Sequence, residues 1–321
     1  MAAFLEVRGL VKQHPARGII ARRRGGLRAV DRVSFSIERD TVFGLVGESG
    51  CGKTTLARAL LYLDPPSSGE VRLDGTLLGA LRPAELRRLR RRMQIVFQDP
   101  NSALDPRMSI RGSLAEGLAN RGLSPEARRR RVAELLELVG LEPRHAGRHP
   151  HEFSGGQKQR IVVARALSME PQFLVLDEPV SNLDVSIQAQ IINLLLQLRE
   201  RLHLTYLFIS HDLNLVAYLA DRIAVMFRGR LVELAWTEEL LNRPQHPYTL
   251  ELLSAVPRLA GTAAQGWREA ERRAEGPDAG PEAGRGCPFY PRCARGEPAC
   301  AQMDPELADS GGGHLVACYK L

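Results

Sequence analysis

Phe4-Leu5-Glu6-Val7 and Val33-Ser34-Phe35-Ser36-Ile37 alternate apolar and polar side chains, the period of strands with one buried face. Thr41–Val46 is a short apolar run that predicts a buried strand, and Leu56–Leu61 predicts the first turns of a helix. Over 81–93, Leu86, Leu89 and Met93 recur at helical spacing while Arg87, Arg88, Arg90, Arg91 and Arg92 cover the other faces. That pattern predicts an amphipathic helix. Gln94–Phe97 follows as a strand, stopped by Pro100. Ser124 as N-cap, Pro125 at the first helical position and Gly140 at the far end bound another helix. Its Val132, Leu135, Leu136 and Val139 fall at i, i+3, i+4 and i+7, a buried stripe. A further helix opens at Ser154 and runs through Ala164–Leu167. Beyond it, Phe173–Leu176 and Tyr206–Ile209 read as buried strands on either side of a helix through Ile191–Leu196.

The chain has 321 residues, of which 44% are hydrophobic, enough for one large domain plus an appendage. A basic loop, Arg17 to Arg28, separates the first two strands and is expected at the surface. The net charge of +7 leaves contact with nucleic acid or an anionic surface open. Much of that charge sits in arginine runs on predicted helices, where a solvated face is the ordinary reason for it. No apolar run reaches the roughly 18–20 residues that span a bilayer, and the first residues lack the apolar segment of a signal peptide. The expectation is a cytosolic protein that meets a membrane only through partners. In a reducing compartment, four cysteines clustered near the C-terminus suggest a metal site more than disulfides.

One stretch carries definite chemistry. Gly47-Glu48-Ser49-Gly50-Cys51-Gly52-Lys53-Thr54-Thr55 fits G-x-x-x-x-G-K-[ST] between a predicted strand and a predicted helix. Gly47, Gly50 and Gly52 let the backbone turn tightly and aim N–H groups at phosphate oxygens, and the helix adds its positive end. Lys53 would reach the β- and γ-phosphates and the Thr54 hydroxyl would hold Mg²⁺. Ser154-Gly155-Gly156-Gln157 opens a helix as a second, weaker anion nest. A buried strand ends in Asp177-Glu178, where the first carboxylate is placed to hold Mg²⁺ and the second to polarise an attacking water. A second strand ends at His211.

Together these residues resemble the ATP-binding subunit of an ABC transporter over about 1–257. The motifs occur in family order: phosphate loop, Gln98, Phe153-Ser154-Gly155-Gly156-Gln157, Asp177-Glu178, Ser181-Asn182-Leu183-Asp184 and His211. Gln98-Asp99-Pro100, Leu104–Met108, Asp184–Gln190, His246–Thr249 and Leu252–Pro257 are similar to the oligopeptide/dipeptide/nickel branch. The resemblance implies an α/β P-loop NTPase: a RecA-like core sheet with helices, an antiparallel β edge and an inserted α-helical subdomain at about 99–165. It also implies an ATPase coupled to transport, with ATP and Mg²⁺ as cofactors. Two such subunits would close head to tail, Gly47–Thr55 of one and Ser154–Gln157 of the other gripping one ATP.

Glu178 would orient the water, His211 contact the γ-phosphate, and Gln98 join Thr54 and Asp177 around Mg²⁺. Asp184 would link the two sites. The implied partners are two transmembrane permease subunits, a second ATP-binding chain of related but different sequence, and an extracytoplasmic solute-binding protein. The implied location is the cytoplasmic face of the cell membrane. His14 stands where the family has an aromatic residue against adenine, and Asn182 where it has alanine. An ABC ATPase of nucleic-acid repair or translation is the alternative, although such proteins carry tandem cassettes or a coiled-coil insertion that this chain lacks; no nucleic-acid partner is expected.

Residues 258–286, rich in Ala, Gly, Glu and Arg, read as a flexible linker to a small Cys-rich appendage, 287–321. The spacings of Cys287, Cys293, Cys300 and Cys318 fit zinc and ferredoxin patterns poorly and leave a metal site and free thiols both open. Cys287–Cys293 and Val316-Ala317-Cys318 are similar to the tail of peptide-importer ATPases, and that resemblance implies a [4Fe–4S] cluster on the four cysteines.

Overall fold

The computed structural model describes residues 3–15, 27–254 and 286–320. The basic loop as far as Gly26 and the linker as far as Arg285 lie outside the described residues. In chain order the strands are β1 (Leu5–His14), β2 (Leu27–Ile37), β3 (Val42–Val46), β4 (Ser68–Leu73), β5 (Thr76–Leu77) and β6 (Met93–Val96). They continue with β7 (Phe173–Asp177), β8 (Thr205–Ser210), β9 (Arg222–Phe227), β10 (Arg230–Trp236), β11 (Ala308–Asp309) and β12 (Leu315–Val316). The helices are α1 (Lys53–Leu60), α2 (Pro83–Leu89), α3 (Pro100–Ala103), α4 (Ile110–Asn120) and α5 (Pro125–Leu138). After them come α6 (Gly155–Leu167), α7 (Val185–Leu202), α8 (Leu213–Leu219), α9 (Thr237–Asn242) and α10 (Pro247–Ser254).

These elements divide into two compact units. The helical unit comprises the chain up to Phe4, Ile37–Val42 and Leu77–Ile209. Its strands run in the order β8-β7-β6, all parallel, with Met93 opposite Phe173 and Asp177 opposite Ile209. Every residue of β7 and β8 is buried, which is why both read as unbroken apolar runs rather than alternations. Helix α5 starts where the sequence predicts: Ser124 Oγ accepts the Ala127 N–H, and Val132, Leu135 and Leu136 are buried.

One sequence expectation fails here. The amphipathic helix expected over 81–93 stops at Leu89, passes through a 3₁₀ turn at Arg90–Arg92, and Met93 begins β6. No residue of α2 is buried, whereas Met93 is 2% exposed. The i, i+3, i+7 match of Leu86, Leu89 and Met93 is local, and parallel pairing with β7 outweighs it. The strand expected to end at His211 also stops one residue earlier, at Ser210, and Asp212 caps α8 by accepting the Asn214 and Leu215 N–H groups.

The phosphate-loop unit comprises Leu5–Ser36, Phe43–Thr76 and Ser210 onward. It holds a four-stranded sheet in the order β2-β1-β4-β5, in which β1 and β4 pair antiparallel, and a second group of strands in the order β11-β12-β10-β9-β3. Here β3 and β9 are parallel while β9, β10 and β12 pair antiparallel. The cysteine-bearing segment is therefore built into this unit, with Glu233 opposite Val316 and Leu234 opposite Leu315. Phe289 is 2% exposed and packs edge-on to Phe227 and against Tyr248. Among the described residues, no helix is long and apolar enough to cross a membrane.

Candidate active site

In the phosphate-loop unit, β3 delivers the chain to Gly47 and α1 takes it away at Lys53. Gly52 caps α1 at φ +110°, and a Cβ there would lie 2.1 Å from the Ala29 carbonyl oxygen. Only glycine fits that turn. A Cβ on Gly47 would meet the Met226 carbonyl oxygen at 2.2 Å. Lys53, 5% exposed, lies within the loop and donates to the carbonyls of Gly47 (2.6 Å) and Glu48 (2.9 Å). Cys51 is buried, and burial pushes its thiol up, as expected of a packing residue rather than a nucleophile. Its carbonyl accepts the Gly229 N–H at 2.8 Å. Ser49, Gly50 and Thr54 are exposed and Thr55 half-buried. His14 ends β1 and is half-buried, and His211 is exposed just past β8.

The helical unit carries the remaining predicted residues. Asp177 closes β7 and is 4% exposed. Glu178 follows at φ +48°, a left-handed conformation that non-glycine residues adopt at a cost and that clusters at functional positions. Its N–H is held by the Ile209 carbonyl at 3.0 Å. Gln98 Nε2 donates to Glu178 Oε2 at 3.2 Å and to Ser181 Oγ at 3.1 Å. The turn beyond Gln98 is fixed by Asp99, whose carboxylate accepts the Asn101 and Ser102 N–H groups and is held below the usual carboxylate range by them. An amide expected in the Mg²⁺ shell and a carboxylate expected to orient the water are thus in contact.

Ser154 caps α6 reciprocally: its Oγ accepts the Gln157 N–H, and Gln157 Oε1 accepts the Ser154 N–H. Gly155 is exposed and Gly156 buried, and a Cβ on Gly156 would come within 2.5 Å of Ile187 Cγ2. Asp184 caps α7 through the Ile187 N–H at 2.9 Å, and that bond together with the Ser186 hydroxyl holds its carboxyl low. Gln188 Nε2 donates to the carbonyls of Val180 (3.1 Å) and Leu183 (2.9 Å), fixing the loop between Glu178 and Asp184. That role is invisible in the sequence, because a glutamine bonding backward to its own loop leaves no periodic trace. Tyr248 and Arg292, which hold the phosphate loop, escaped for the same reason. They lie 200 and 244 residues from the Glu48 they touch.

Cys287, Cys293, Cys300 and Cys318 are half-buried and line one small cavity with Phe289 and Tyr319. Burial pushes the Cys287 and Cys293 thiols up. Among the described residues, no group of three or more His, Cys, Asp or Glu side chains is arranged to hold a metal ion.

A glycine-rich loop that closes on a helix N-terminus after a buried parallel strand defines the class, an α/β P-loop NTPase. A protein-family model described as "ABC transporter" matches residues 30–181, and one described as "Oligopeptide/dipeptide transporter, C-terminal region" matches residues 232–300. The chain is 48% identical over 318 residues to a "Putative peptide import ATP-binding protein" of Brucella ovis, covering 99% of this chain and 98% of that one. It is 44% identical to the "Oligopeptide transport ATP-binding protein AppF" of Bacillus subtilis, covering 98% and 97%. Among solved structures it is similar to cbiO1 from Clostridium perfringens, with TM-score 0.67, 28% identity, and 78% and 96% of the two chains covered. It is likewise similar to the ATP-binding cassette MJ0796 in a post-hydrolysis state bound to ADP and Pi, with TM-score 0.65, 29% identity, and 73% and 98% covered. The chain belongs to the ATP-binding subunits of ABC transporters, and it is an ATPase.

Proposed function

We propose that the chain energises uptake of oligopeptides, dipeptides or related small solutes across the cytoplasmic membrane, from its cytoplasmic face. The near full-length similarity to a peptide import ATP-binding protein carries this, together with the C-terminal region match at 232–300. The relatives named above are all transport proteins, so nothing in them favours nucleic-acid repair or translation.

In this proposal Gly47–Thr55 binds the phosphates of ATP, Lys53 neutralises them, and Thr54, Asp177 and Gln98 surround Mg²⁺. Glu178 orients the attacking water and His211 contacts the γ-phosphate. The contact between Gln98 and Glu178 supports placing the Mg²⁺ shell and the attacking water side by side. Ser154–Gln157 reads the nucleotide of a second, related ATPase chain, and the exposed end of α6 suits that task. Asp184 communicates across that pair, and His14 stacks on adenine.

Residues 99–165 act as an inserted helical subdomain within a cassette of 1–257. A groove of about 580 Å³ lined by Gln94, Phe97, Glu116, Arg165 and Met169 supports contact with a permease segment there. Two permeases and an extracytoplasmic solute-binding protein complete the assembly. The tail, 287–321 after a linker at 258–286, holds a [4Fe–4S] cluster on Cys287, Cys293, Cys300 and Cys318; the cavity these cysteines share supports that role. Such a cluster would cross-link the tail.

The test is to solubilise the membranes gently, recover the native chain and identify what accompanies it. Two polytopic permeases and a second ATPase are the expected companions. Recovery from the soluble fraction on DNA or ribosomes would overturn the proposal.

A further inference from the structure

Resting on the assignment of Gly47–Thr55 as the nucleotide-phosphate loop, we propose that Arg292 is a positioning residue of that loop. Carried on the cysteine-bearing segment one residue before Cys293, it holds Glu48 and thereby sets nucleotide affinity.

Glu48 is the second residue of the loop, and it is held at three points. Arg292 Nη1 donates to both of its carboxylate oxygens, at 2.9 and 3.0 Å. The Tyr248 hydroxyl accepts its N–H at 3.0 Å. Lys53 Nζ donates to its carbonyl at 2.9 Å. Arg292 is itself braced. Its Nη2 donates to Glu251 on α10, and the guanidinium lies over the rings of Phe227 and Phe289, 5.7 and 5.6 Å from their centroids. Tyr248 is fully buried against the same two rings. The cysteine-bearing segment therefore reaches the phosphate loop through one charged side chain and one aromatic cluster.

Two physical effects follow. A carboxylate on a loop that receives a polyanion repels it, and Arg292 neutralises that charge. A phosphate loop works by holding several N–H groups convergent, and fixing Glu48 from both sides keeps the backbone from rotating away. Lysine at 292 would keep the charge but lose the planar fork that holds Glu48 and Glu251 at fixed positions, so charge and geometry can be separated.

The experiment titrates MgADP into the full chain by calorimetry for wild type, R292Q, R292K, E48Q and R292Q/E48Q. R292Q is expected to weaken binding by about three- to tenfold, the scale of a half-exposed ion pair with a positioning role. R292K should recover part of the loss. In the E48Q background, R292Q should cost less than about twofold, because its partner charge is already gone. In ATP turnover KM should rise by more than kcat falls. R292Q binding ADP as wild type does, or costing as much in E48Q as in wild type, would overturn the proposal. Should R292Q fail to fold, R292K decides alone: unchanged affinity overturns the proposal and a loss supports it. K53A is the control for the underlying assignment. If K53A binds ADP normally, the loop assignment falls and the proposal with it, whereas normal binding by R292Q with loss in K53A sinks only the role of Arg292.

Discussion

Gln98 Nε2 and Glu178 Oε2 stand 3.2 Å apart, although 80 residues separate them in the chain. Glu178 sits in a left-handed backbone conformation directly after Asp177, so its carboxylate is placed by backbone geometry and oriented by an amide. Glu178→Gln keeps the shape and the contact but removes the charge that would draw a proton from water. ATP hydrolysis is expected to fall by about a hundredfold or more, while ADP affinity stays within about twofold. Steady-state phosphate release and ADP titration check both. Turnover at the wild-type rate would remove Glu178 from the mechanism.

Gly156 and Ile187 meet where α6 passes the start of α7. A Cβ at 156 would sit 2.5 Å from Ile187 Cγ2, and a β-branched side chain has little freedom to move aside. The backbone N–H of that same Ile187 holds Asp184. Gly156→Ala is expected to cost about 1–3 kcal/mol of stability and to lower ATPase activity. The second change, Ile187→Ala, should restore part of both. Thermal melts and turnover of the single and double variants test this, and an unsuppressed loss would place the fault elsewhere.

Much of the cassette is legible in the sequence because its signals are local. The phosphate loop, the Ser154 cap of α6, and the buried runs β7 and β8 each declare themselves within ten residues or so. What escaped depends on partners distant in the chain. Met93 reads as part of a helical stripe, and only pairing with Phe173 makes it the start of a strand. The tail reads as an appendage because β11 and β12 are two residues each, too short for any period to show. Its hold on the unit lies in Arg292, Asp304 and His314, ordinary surface residues by composition, whose partners lie 41 to 272 residues away.

Asp31 predicts an acid limit to stability. Burial pushes its carboxyl up, and Arg230, Arg32 and Arg28 together push it down by more, so that it lies below the usual carboxylate range. Arg230 Nη2 approaches Asp31 Oδ2 at 2.7 Å and also pairs with Asp304 of the tail. A folded pKa below the unfolded one means that the unfolded chain binds more protons in between. The stabilisation is therefore present above the unfolded value of about 3.9 and is lost as pH falls through the folded one. Urea midpoints measured from neutral pH down to about pH 3 should fall more steeply for wild type than for Asp31→Asn. Parallel curves would deny Asp31 any share in acid unfolding.

Glu233 is fully buried on β10, and its carboxylate gathers three donors. It accepts the N–H groups of Gln245 (2.7 Å) and His246 (3.0 Å), and lies 2.7 Å from Nε2 of His314, itself 2% exposed. The tautomer protonated at Nε2 satisfies this contact and leaves Nδ1 to accept from Gln245 Nε2 at 3.3 Å. His314 thus ties the β11–β12 hairpin to the neighbouring strand β10. His314→Ala strips a buried carboxylate of one of its three donors, a change that typically costs about 1–3 kcal/mol when a buried acceptor loses a hydrogen-bond partner. Because the loss falls on the tail, protease should cut near 309–320 sooner than in the rest of the phosphate-loop unit. Adding Glu233→Gln to His314→Ala removes the stranded charge and should restore part of the stability, since the cost lies in the uncompensated carboxylate rather than in the missing ring. If the double variant is no more stable than His314→Ala, the ring's packing and not its hydrogen bond fixes the tail.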